Sequence, residues 1–330
     1  MLRSYKHKGP FSTSSLRLRD GILKDTRIMT LSVIVPAFNE AENVGSNVLE
    51  TLATLLPLGY DVEVVVVDDG STDGTCLEAL KAKTQHPERV LVVQCETNVG
   101  KGNALICGTR YATGDYVAFV DADLDLHPGQ LPLFFETMAS TGADVVIGSK
   151  YHPDSNIDIP WVRKIYSVVY FALIRMLFGL PIRDSQTGLK LFKRQVLRDA
   201  FPRVLVKRFG FDIELLVNVF ALRYKIAEAP VTLRFQRAKS RVQFRDAWRV
   251  LQDTLAVYYR LRVLGFYGRI PKVQLEGLPA VKSAQLHASV ESYQNGYYLH
   301  AAPEKLEVGS PDRSETGSPA FAALPKFQSA

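Results

Sequence analysis

Short apolar runs alternate with amphipathic stretches between Met29 and residue 150. The apolar runs are rich in β-branched residues and predict five strands, at 31–35, 62–67, 90–94, 116–120 and 144–147. Strands that are apolar nearly throughout, and that alternate with helices, are typical of a parallel sheet covered on both faces. The predicted fold class is therefore α/β, with a mostly parallel central sheet and flanking helices.

Helical periodicity fills the gaps between these runs. A polar and acidic start at Asn39 leads into an apolar stripe that indicates the first helix. The stripe consists of Val44, Val48, Leu52 and Leu55. Further helices are predicted to end at Lys83 and to span 102–111 and 128–138.

The second half of the chain has a different pattern. Residues 161–180 are apolar and aromatic, but Arg163, Lys164 and Arg175 interrupt them. The uninterrupted part is shorter than the ~20 residues that a membrane-spanning helix needs. It fits an amphipathic helix in a membrane interface, and a helix buried in the core is the alternative. Residues 255–270 repeat this composition.

Composition divides the chain into four parts. Residues 1–28 are basic and lack the apolar core of a signal peptide. We expect a disordered extension there; a transit peptide, or a true start at Met29, are alternatives. Residues 29–240 form the α/β domain and 241–272 an amphipathic basic helix. Residues 273–330 have no apolar period and are predicted to be disordered.

The net charge of +6 hides an asymmetry. Residues 29–150 carry 6 basic and 17 acidic side chains, whereas residues 151–270 carry 22 basic and 9 acidic ones. An acidic half joined to a basic half suggests one partner that brings a cation. It also suggests a second partner that is an anion or an anionic surface.

Three cysteines occur, at Cys76, Cys95 and Cys107. Their odd number and the absence of metal-ligand spacing argue against a disulfide framework or a zinc site. We therefore expect reduced, buried thiols and a cytosolic setting.

Three carboxylates follow the fourth predicted strand, at Asp121, Asp123 and Asp125. In an extended segment alternate side chains point the same way, so the three would converge. Carboxylates so close repel one another, and a hard divalent cation relieves this. The pattern predicts a site for Mg²⁺ or Mn²⁺, with a solvated acidic loop as the alternative.

A second pair of carboxylates, Asp68 and Asp69, ends another apolar strand in VVVVDDGSTDGT. These side chains can accept hydrogen bonds from a base and a ribose, and Gly70 and Gly74 let backbone amides approach a ligand. Simple turn chemistry is the alternative. Two acidic clusters at neighbouring strand ends favour the nucleotide interpretation.

The stretch NVGKGNA places Lys101 between two glycines at a predicted helix start, which suits a phosphate. It is not a P-loop, because no Gly-Lys-Ser/Thr occurs at the required spacing. The first strand is also not followed by G-x-G-x-x-G, which weakens a dinucleotide-dehydrogenase interpretation.

Several motifs together resemble the inverting family 2 glycosyltransferases of GT-A fold. They are LSVIVPAFNEAENV, VVVVDDGSTDGT, NVGKGNAL and GDYVAFVDADLDLHP. Three later stretches resemble the polyprenyl-phosphate branch, which includes dolichyl-phosphate mannosyltransferases and glucosyltransferases. They are VVIGSKYHP, RDSQTGLKLFKR and FGFDIELL.

The resemblance implies roles for individual residues on the donor side. Pro36, Phe38 and Glu40 would border the nucleotide, and Asp68 and Asp69 would hold its base and ribose. The metal ligands would be Asp121, Asp123 and Asp125, with Asp125 at a position where mannosyl relatives commonly carry Gln. Lys150, Arg237 and Arg241 would contact phosphate, as Lys101 does in the interpretation above. Of these, Lys150 and Arg237 would act in catalysis with Asp123.

Residues of the second half would meet the sugar and the acceptor. Asp184 and Asp212 are candidate polar contacts for the sugar, with a structural hydrogen bond or ion pair as the alternative. Arg163 would bind the lipid phosphate, or extend to a solvated face. Lys150 stands where many relatives have Arg, and Lys239 where Gly is more usual.

The implied reaction moves one hexose from a nucleotide sugar to a polyprenyl phosphate with inversion. GDP-mannose is slightly favoured over UDP-glucose. The stretches RDSQTGLKLF and FGFDIELL resemble glucosyl relatives more closely, and DADLDLHP resembles mannosyl ones. A membrane surface is the expected partner and its cytoplasmic face the expected location. A separate membrane anchor stays open, and no nucleic acid is expected. The alternatives are a sugar-phosphate nucleotidyltransferase, which PAFNEAEN argues against, and a binding protein without turnover.

Overall fold

The computed structural model describes residues 29–155, 157, 161–206, 210–233 and 244–269. Side chains are described within these ranges except at 162–163 and 244–248. The predicted extension at 1–28 and tail at 273–330 lie outside the described residues, as do Arg237 and Arg241. The four-part division of the chain stays a prediction.

One seven-stranded sheet forms the centre of the domain. Its strands are β1 (Thr30–Ala37), β2 (Asp61–Asp68), β3 (Val90–Gln94), β4 (Tyr116–Phe119), β5 (Val145–Ser149), β6 (Lys190–Lys193) and β7 (Ile226–Pro230). The described helices are α1 (Val44–Leu55), α2 (Thr75–Gln85), α3 (Lys101–Arg110), α4 (Leu131–Thr141), α5 (Trp161–Phe178), α6 (Arg194–Ala200), α7 (Phe211–Ala221) and α8 (Phe244–Tyr258). A π-helical turn, Tyr259–Val263, continues α8.

The strand order is β3-β2-β1-β4-β6-β5-β7. Strand β6 runs antiparallel to both of its neighbours, whereas the other pairings are parallel. The five predicted strands and the α/β class with a mostly parallel sheet are confirmed. Strands β6 and β7 were not predicted, since KLFK and IAEAP are short and interrupted by charge.

This topology brings distant segments to one edge of the sheet. The carboxyl ends of β1, β2 and β4 meet there because these strands are parallel. Strand β5 runs the same way, since β6 is antiparallel to both β4 and β5. For the same reason the amino end of β6 arrives at this edge, and residues 187–190 join the loops that follow the other strands.

Helix α5 leaves much of its apolar surface exposed. The exposed side chains are Trp161, Ile165, Tyr166, Val168, Val169 and Met176, each 53–75% accessible. Ile174 and Phe178 are buried on the opposite side. A fully buried core helix is therefore wrong for this segment. Among the described residues, no helix is long and apolar enough to cross a membrane.

Helix α3 packs against the sheet through a glycine. A Cβ atom at Gly108 would lie 2.5 Å from Cγ2 of Ile34 and 2.9 Å from Cγ2 of Val67. Both neighbours are fully buried strand residues, so neither has free space to move into. This close contact sets the distance between α3 and strands β1 and β2.

We expect Gly108→Ala to lower the free energy of unfolding by about 1–3 kcal/mol, because the added methyl group overpacks this contact. Urea denaturation followed by circular dichroism measures the change. Gly268→Ala is the matched control, since nothing lies within 4 Å of its added Cβ. An equally stable Gly108→Ala variant would contradict this close packing.

Candidate active site

The turn after β2 is built around two aspartates. Asp68 is fully buried, and its carboxylate accepts hydrogen bonds from the Ser71 backbone (3.0 Å) and the Gln94 side chain (3.3 Å). Burial raises the pKa of Asp68, although these hydrogen bonds partly oppose the shift. Asp69 accepts from the backbone nitrogens of Val99 (3.2 Å) and Gly100 (2.8 Å). Asp69 therefore fastens the β3–α3 loop, a structural contact that was not predicted.

Gly70 is required by this arrangement. Its φ of +70° lies in the left-handed region, and a Cβ atom there would lie 2.5 Å from the Thr97 carbonyl carbon. The turn after β2 and the β3–α3 loop are therefore in direct backbone contact.

The β1–α1 loop lies beside the turn after β2 and is hydrogen-bonded to the segment that follows it. Asn39 adopts φ +54°, and its side chain accepts a hydrogen bond from the Thr72 backbone at 3.0 Å. The Glu40 backbone donates to Thr75 Oγ1 at 2.8 Å. Pro36 lies in the buried part of β1, which continues to Ala37, and Phe38 presents a 44% exposed ring. Pro36 in β1, and Phe38 and Glu40 in the loop that follows, thus lie next to the Asp68–Asp69 turn.

An ion pair joins α3 to the end of β4. Lys101, the first residue of α3, places Nζ in close contact with Oδ1 of Asp121. Burial alone would raise the pKa of Asp121, but Lys101, followed by Lys190 and Lys150, lowers it below its usual value. Burial would likewise lower the pKa of Lys101, but Asp121, Asp212 and Asp123 raise it. Three lysines and three aspartates thus form one charge cluster.

The cluster leaves no space for a side chain at residue 188. A Cβ atom on Gly188 would lie 2.0 Å from Oδ2 of Asp121. The loop before β6 therefore approaches Asp121 closely only because residue 188 is a glycine.

Lys190 is a residue that the sequence analysis missed. It is 1% exposed, and its ammonium donates to Oδ1 of Asp212 at 2.7 Å and to the Thr187 carbonyl. The signal was a single lysine in the otherwise apolar run GLKLF. Asp212, which the sequence predicts as a sugar contact, is thus held by a buried lysine.

Asp184 organises the loop before β6. Its carboxylate accepts from the backbone nitrogens of Lys150 (3.2 Å) and Gln186 (3.1 Å) and from Thr187 Oγ1 (2.6 Å). Asp184 is 3% exposed. These contacts give it the structural role that was the alternative to a sugar contact, and they fix the backbone of Lys150 beside the cluster.

The structure does not bring the three expected metal ligands together. After β4 the chain turns instead of remaining extended: the Leu124 backbone donates to the Asp121 carbonyl at 3.1 Å, and Leu124 has φ +49°. The Asp125 backbone nitrogen donates to the Asp123 carboxylate at 3.2 Å. Within the described ranges, no three His, Cys, Asp or Glu side chains form a group that could hold a metal. Asp121, Asp123 and Asp125 therefore do not converge as three ligands.

The structure assembles most of the remaining predicted residues. Lys101, Asp121, Asp123, Lys150 and Asp212 share the charge cluster, and the nucleotide candidates share the adjacent loops. Arg163 lies on α5, but its side chain is outside the described residues, as are Arg237 and Arg241.

Comparison with known proteins places this site in context. The model of the glycosyl transferase family 2 matches residues 32–201. A dolichyl-phosphate beta-glucosyltransferase of Drosophila melanogaster is 34% identical over 63% of this chain and 68% of its own length. A protein of the same description from Trichomonas vaginalis is 30% identical over 69% of this chain and 68% of its own length.

Solved structures share the fold. The glucosyl-3-phosphoglycerate synthase of Mycobacterium tuberculosis, in complex with Mn²⁺, UDP and glucosyl-3-phosphoglycerate, superposes with a TM-score of 0.54. It is 24% identical and covers 69% of this chain and 80% of its own length. This similarity confirms the GT-A fold.

We expect Lys190→Met to lower the free energy of unfolding by about 3–5 kcal/mol, because it leaves the largely buried Asp212 carboxylate without its cation. Adding Asp212→Asn should restore part of the loss by removing that charge. Urea denaturation of the single and double variants measures both effects.

Lys193→Met is the matched control. Lys193 pairs with Asp144 at 2.8 Å, but its side chain is 44% exposed, so its removal should cost about 1 kcal/mol or less. Equal effects of the two substitutions would show that burial does not distinguish these pairs.

Proposed function

We propose that this chain, which belongs to glycosyl transferase family 2, transfers glucose from UDP-glucose to a polyprenyl phosphate such as dolichyl phosphate, with inversion at the anomeric carbon. The observation that carries the proposal is the lysine–aspartate cluster at the carboxyl edge of the sheet, beside the Asp68–Asp69 turn. The chain is a transferase, as its family match requires.

Glucose replaces the earlier preference for mannose. Both relatives described above are named for beta-glucosyl transfer to dolichyl phosphate, at 34% and 30% identity. The stretches RDSQTGLKLF and FGFDIELL already resembled glucosyl relatives. These observations support the UDP-glucose alternative and give no support to GDP-mannose.

The nucleoside is assigned to the β1–α1 loop and the turn after β2. Phe38 supplies an exposed ring, and rings of this kind stack on bases. Asp68 would accept a hydrogen bond from the base, and Asp69 would meet the ribose while it holds the β3–α3 loop. Pro36 and Glu40 would border the same pocket.

The donor diphosphate is assigned to the charge cluster. The carboxylates of Asp121 and Asp123 are hard oxygen donors that suit Mg²⁺ or Mn²⁺. The Lys101 ammonium against Asp121 indicates that positive charge is favourable at this point. Asp121 and Asp123 would therefore hold the cation together with the phosphate oxygens of the donor. A bound cation would neutralise charge on the diphosphate. The complex of the Mycobacterium tuberculosis synthase with Mn²⁺ and UDP supports this assignment.

The proposed glucosyl transfer does not require a strong general base. A phosphate oxygen of the acceptor is already anionic at neutral pH, so it can attack the anomeric carbon as the bond to the UDP oxygen breaks. Lys101 and Lys150 would stabilise the charge that develops on the leaving UDP. Arg237 and Arg241 are proposed to assist. Catalysis is then mainly positioning and electrostatics.

The sugar is assigned to the space beside Asp212. Lys190 holds one oxygen of the Asp212 carboxylate at 2.7 Å, which would orient the group toward a sugar hydroxyl. Asp184 would act indirectly, through the backbone of Lys150 and the loop before β6.

The lipid acceptor gives α5 a role at a membrane surface. Trp161, Ile165, Val168 and Met176 lie at helical spacing and are 53–75% exposed. Lys164 and Arg175 are exposed on the same helix. An apolar face with adjacent basic residues suits the headgroup region of an anionic membrane, and we place the enzyme at the cytoplasmic face. Arg163 would then lie near the acceptor phosphate.

A donor assay tests the reaction. The purified chain is incubated with Mn²⁺ or Mg²⁺, a short polyprenyl phosphate, and radiolabelled UDP-glucose or GDP-mannose in parallel. We expect label in the organic phase from UDP-glucose alone, because the acceptor carries the sugar into the lipid fraction. Label from GDP-mannose alone would contradict the glucose assignment, and no label with measurable UDP binding would favour a binding protein without turnover.

Asp123→Ala provides the inactive reference for that assay. It should lower transfer at least about a hundredfold, because it removes a proposed ligand of the diphosphate-bound cation. Asp115→Ala is the matched control on an exposed aspartate at the opposite end of β4. Undiminished transfer by Asp123→Ala would exclude Asp123 from the metal site.

Sedimentation with vesicles of phosphatidylcholine and phosphatidylserine tests the membrane face. The double variant Ile165→Glu/Val169→Glu should bind at least about tenfold more weakly, since it places two charges on the exposed apolar face. Ala139→Glu, on the exposed face of α4, should bind like the unmodified chain. If the unmodified chain stays in the supernatant, α5 is not a membrane-binding helix.

A further inference from the structure

Glu214 is a buried carboxylate to which the proposed reaction gives no role. It lies in the first turn of α7 and is fully buried. One of its oxygens, Oε2, accepts hydrogen bonds from the backbone nitrogens of Leu205 (2.8 Å) and Val206 (2.6 Å). The other oxygen, Oε1, accepts from Nη2 of Arg260 (3.0 Å) and from the Tyr267 hydroxyl (2.5 Å). A single carboxylate thus joins α7 to the chain before it and to the elements after α8.

The first turn of α7 has no side chain at its cap position. Gly210 precedes the helix there, so it has no group with which to satisfy the free backbone nitrogens of the first turn. Its own backbone nitrogen donates to Oδ2 of Asp253 on α8 at 3.0 Å. The position of this turn therefore depends on its contacts with α8 and the elements that follow, through Asp253 and Glu214.

The same turn carries a residue of the proposed site. Asp212 is paired with the buried Lys190 at 2.7 Å, and it is assigned above to a hydroxyl of the sugar. Phe211 packs against α3, since a Cβ atom at Gly102 would lie 2.5 Å from the Phe211 ring. Lys190 thus holds the carboxylate of Asp212, whereas the turn sets the backbone position from which that side chain extends.

We propose that Glu214 is a positioning residue for sugar transfer, which holds Asp212 at the donor sugar by fastening the first turn of α7 to Arg260 and Tyr267. This inference rests on the function proposed above, which assigns Asp212 to the sugar. Loosening the turn should lower the rate of transfer, because a displacement of about 1 Å at a substrate contact is costly. UDP binding should change little, since the nucleoside is assigned to the β1–α1 loop and the turn after β2.

Tyr267→Phe tests this role with a small change, since it removes one hydroxyl from Glu214 and keeps the ring. Tyr224→Phe is the matched control, because the Tyr224 hydroxyl donates to the buried Asp199 at the same distance of 2.5 Å. Tyr224 follows the other end of α7. Only Tyr267→Phe should lower kcat for glucosyl transfer, at least about fivefold, with the Kd for UDP unchanged within about twofold. Equal kcat values for the two variants would overturn the proposal.

Asp212→Asn shows whether the effect passes through Asp212. If it does, Tyr267→Phe should lower kcat by less than about twofold in the Asp212→Asn background, because both changes then act on one contact. The same loss in both backgrounds would contradict a route through Asp212.

Hydrogen exchange tests the fastening without an activity assay. Glu214→Gln leaves one oxygen to accept four hydrogen bonds, so the amides of Leu205, Val206 and Gly210 should together exchange at least about threefold faster. Asp199→Asn makes the same change on α6 and should leave these amides unaffected. Unchanged exchange in Glu214→Gln overturns the inference. If the unmodified chain transfers no glucose, the proposed function is wrong, and exchange alone decides whether Glu214 fixes the turn.

Discussion

The site depends on charge compensation at the carboxyl edge of the sheet. Asp121 lies where several acidic groups meet, and carboxylates this close would repel one another without nearby cations. Lys101 contacts Asp121 directly, and Lys150 and Lys190 lower its pKa further. The acidic first half of the chain supplies most of the carboxylates, and the basic second half supplies Lys190 and the loop that carries it. Each half of the chain nevertheless balances its own share of the cluster: residues 29–150 supply two lysines and two aspartates, and residues 151–270 supply Lys190 and Asp212.

Helix α7 links this cluster to the C-terminal elements. Asp212 lies in its first turn, and the buried Glu214 follows two residues later. Glu214 accepts hydrogen bonds from Arg260 at 3.0 Å and from Tyr267 at 2.5 Å. Burial and the hydrogen bond to Glu214 raise the pKa of Tyr267. The tyrosine therefore keeps its proton and acts as the donor in that hydrogen bond. Gly210, just before α7, donates to Asp253 of α8 at 3.0 Å. The helix that carries Asp212 is thus fastened at its first turn to α8 and to the elements that follow it.

The same geometry explains why glycines are concentrated around the site. Gly70 brings the turn after β2 against the β3–α3 loop, and Gly188 brings the loop before β6 against Asp121. In both places a Cβ atom would overlap backbone or carboxylate atoms of the facing segment. Close approach of backbone segments thus brings residues of separate loops next to one another at this edge of the sheet.

The sequence by itself determined the five strands, the acidic residues at their ends and the family, because alternation, turn residues and short motifs are local properties of the chain. Only the tertiary structure decided how these residues are used. The antiparallel insertion of β6 brings Lys190 and Gly188 to Asp121, a pairing across about seventy residues that no local pattern encodes. The left-handed turn at Leu124 separates three carboxylates that an extended segment would have brought together. Burial of Lys190 and exposure of the α5 apolar face likewise follow from long-range packing, because residue type alone favours an exposed lysine and a buried apolar face.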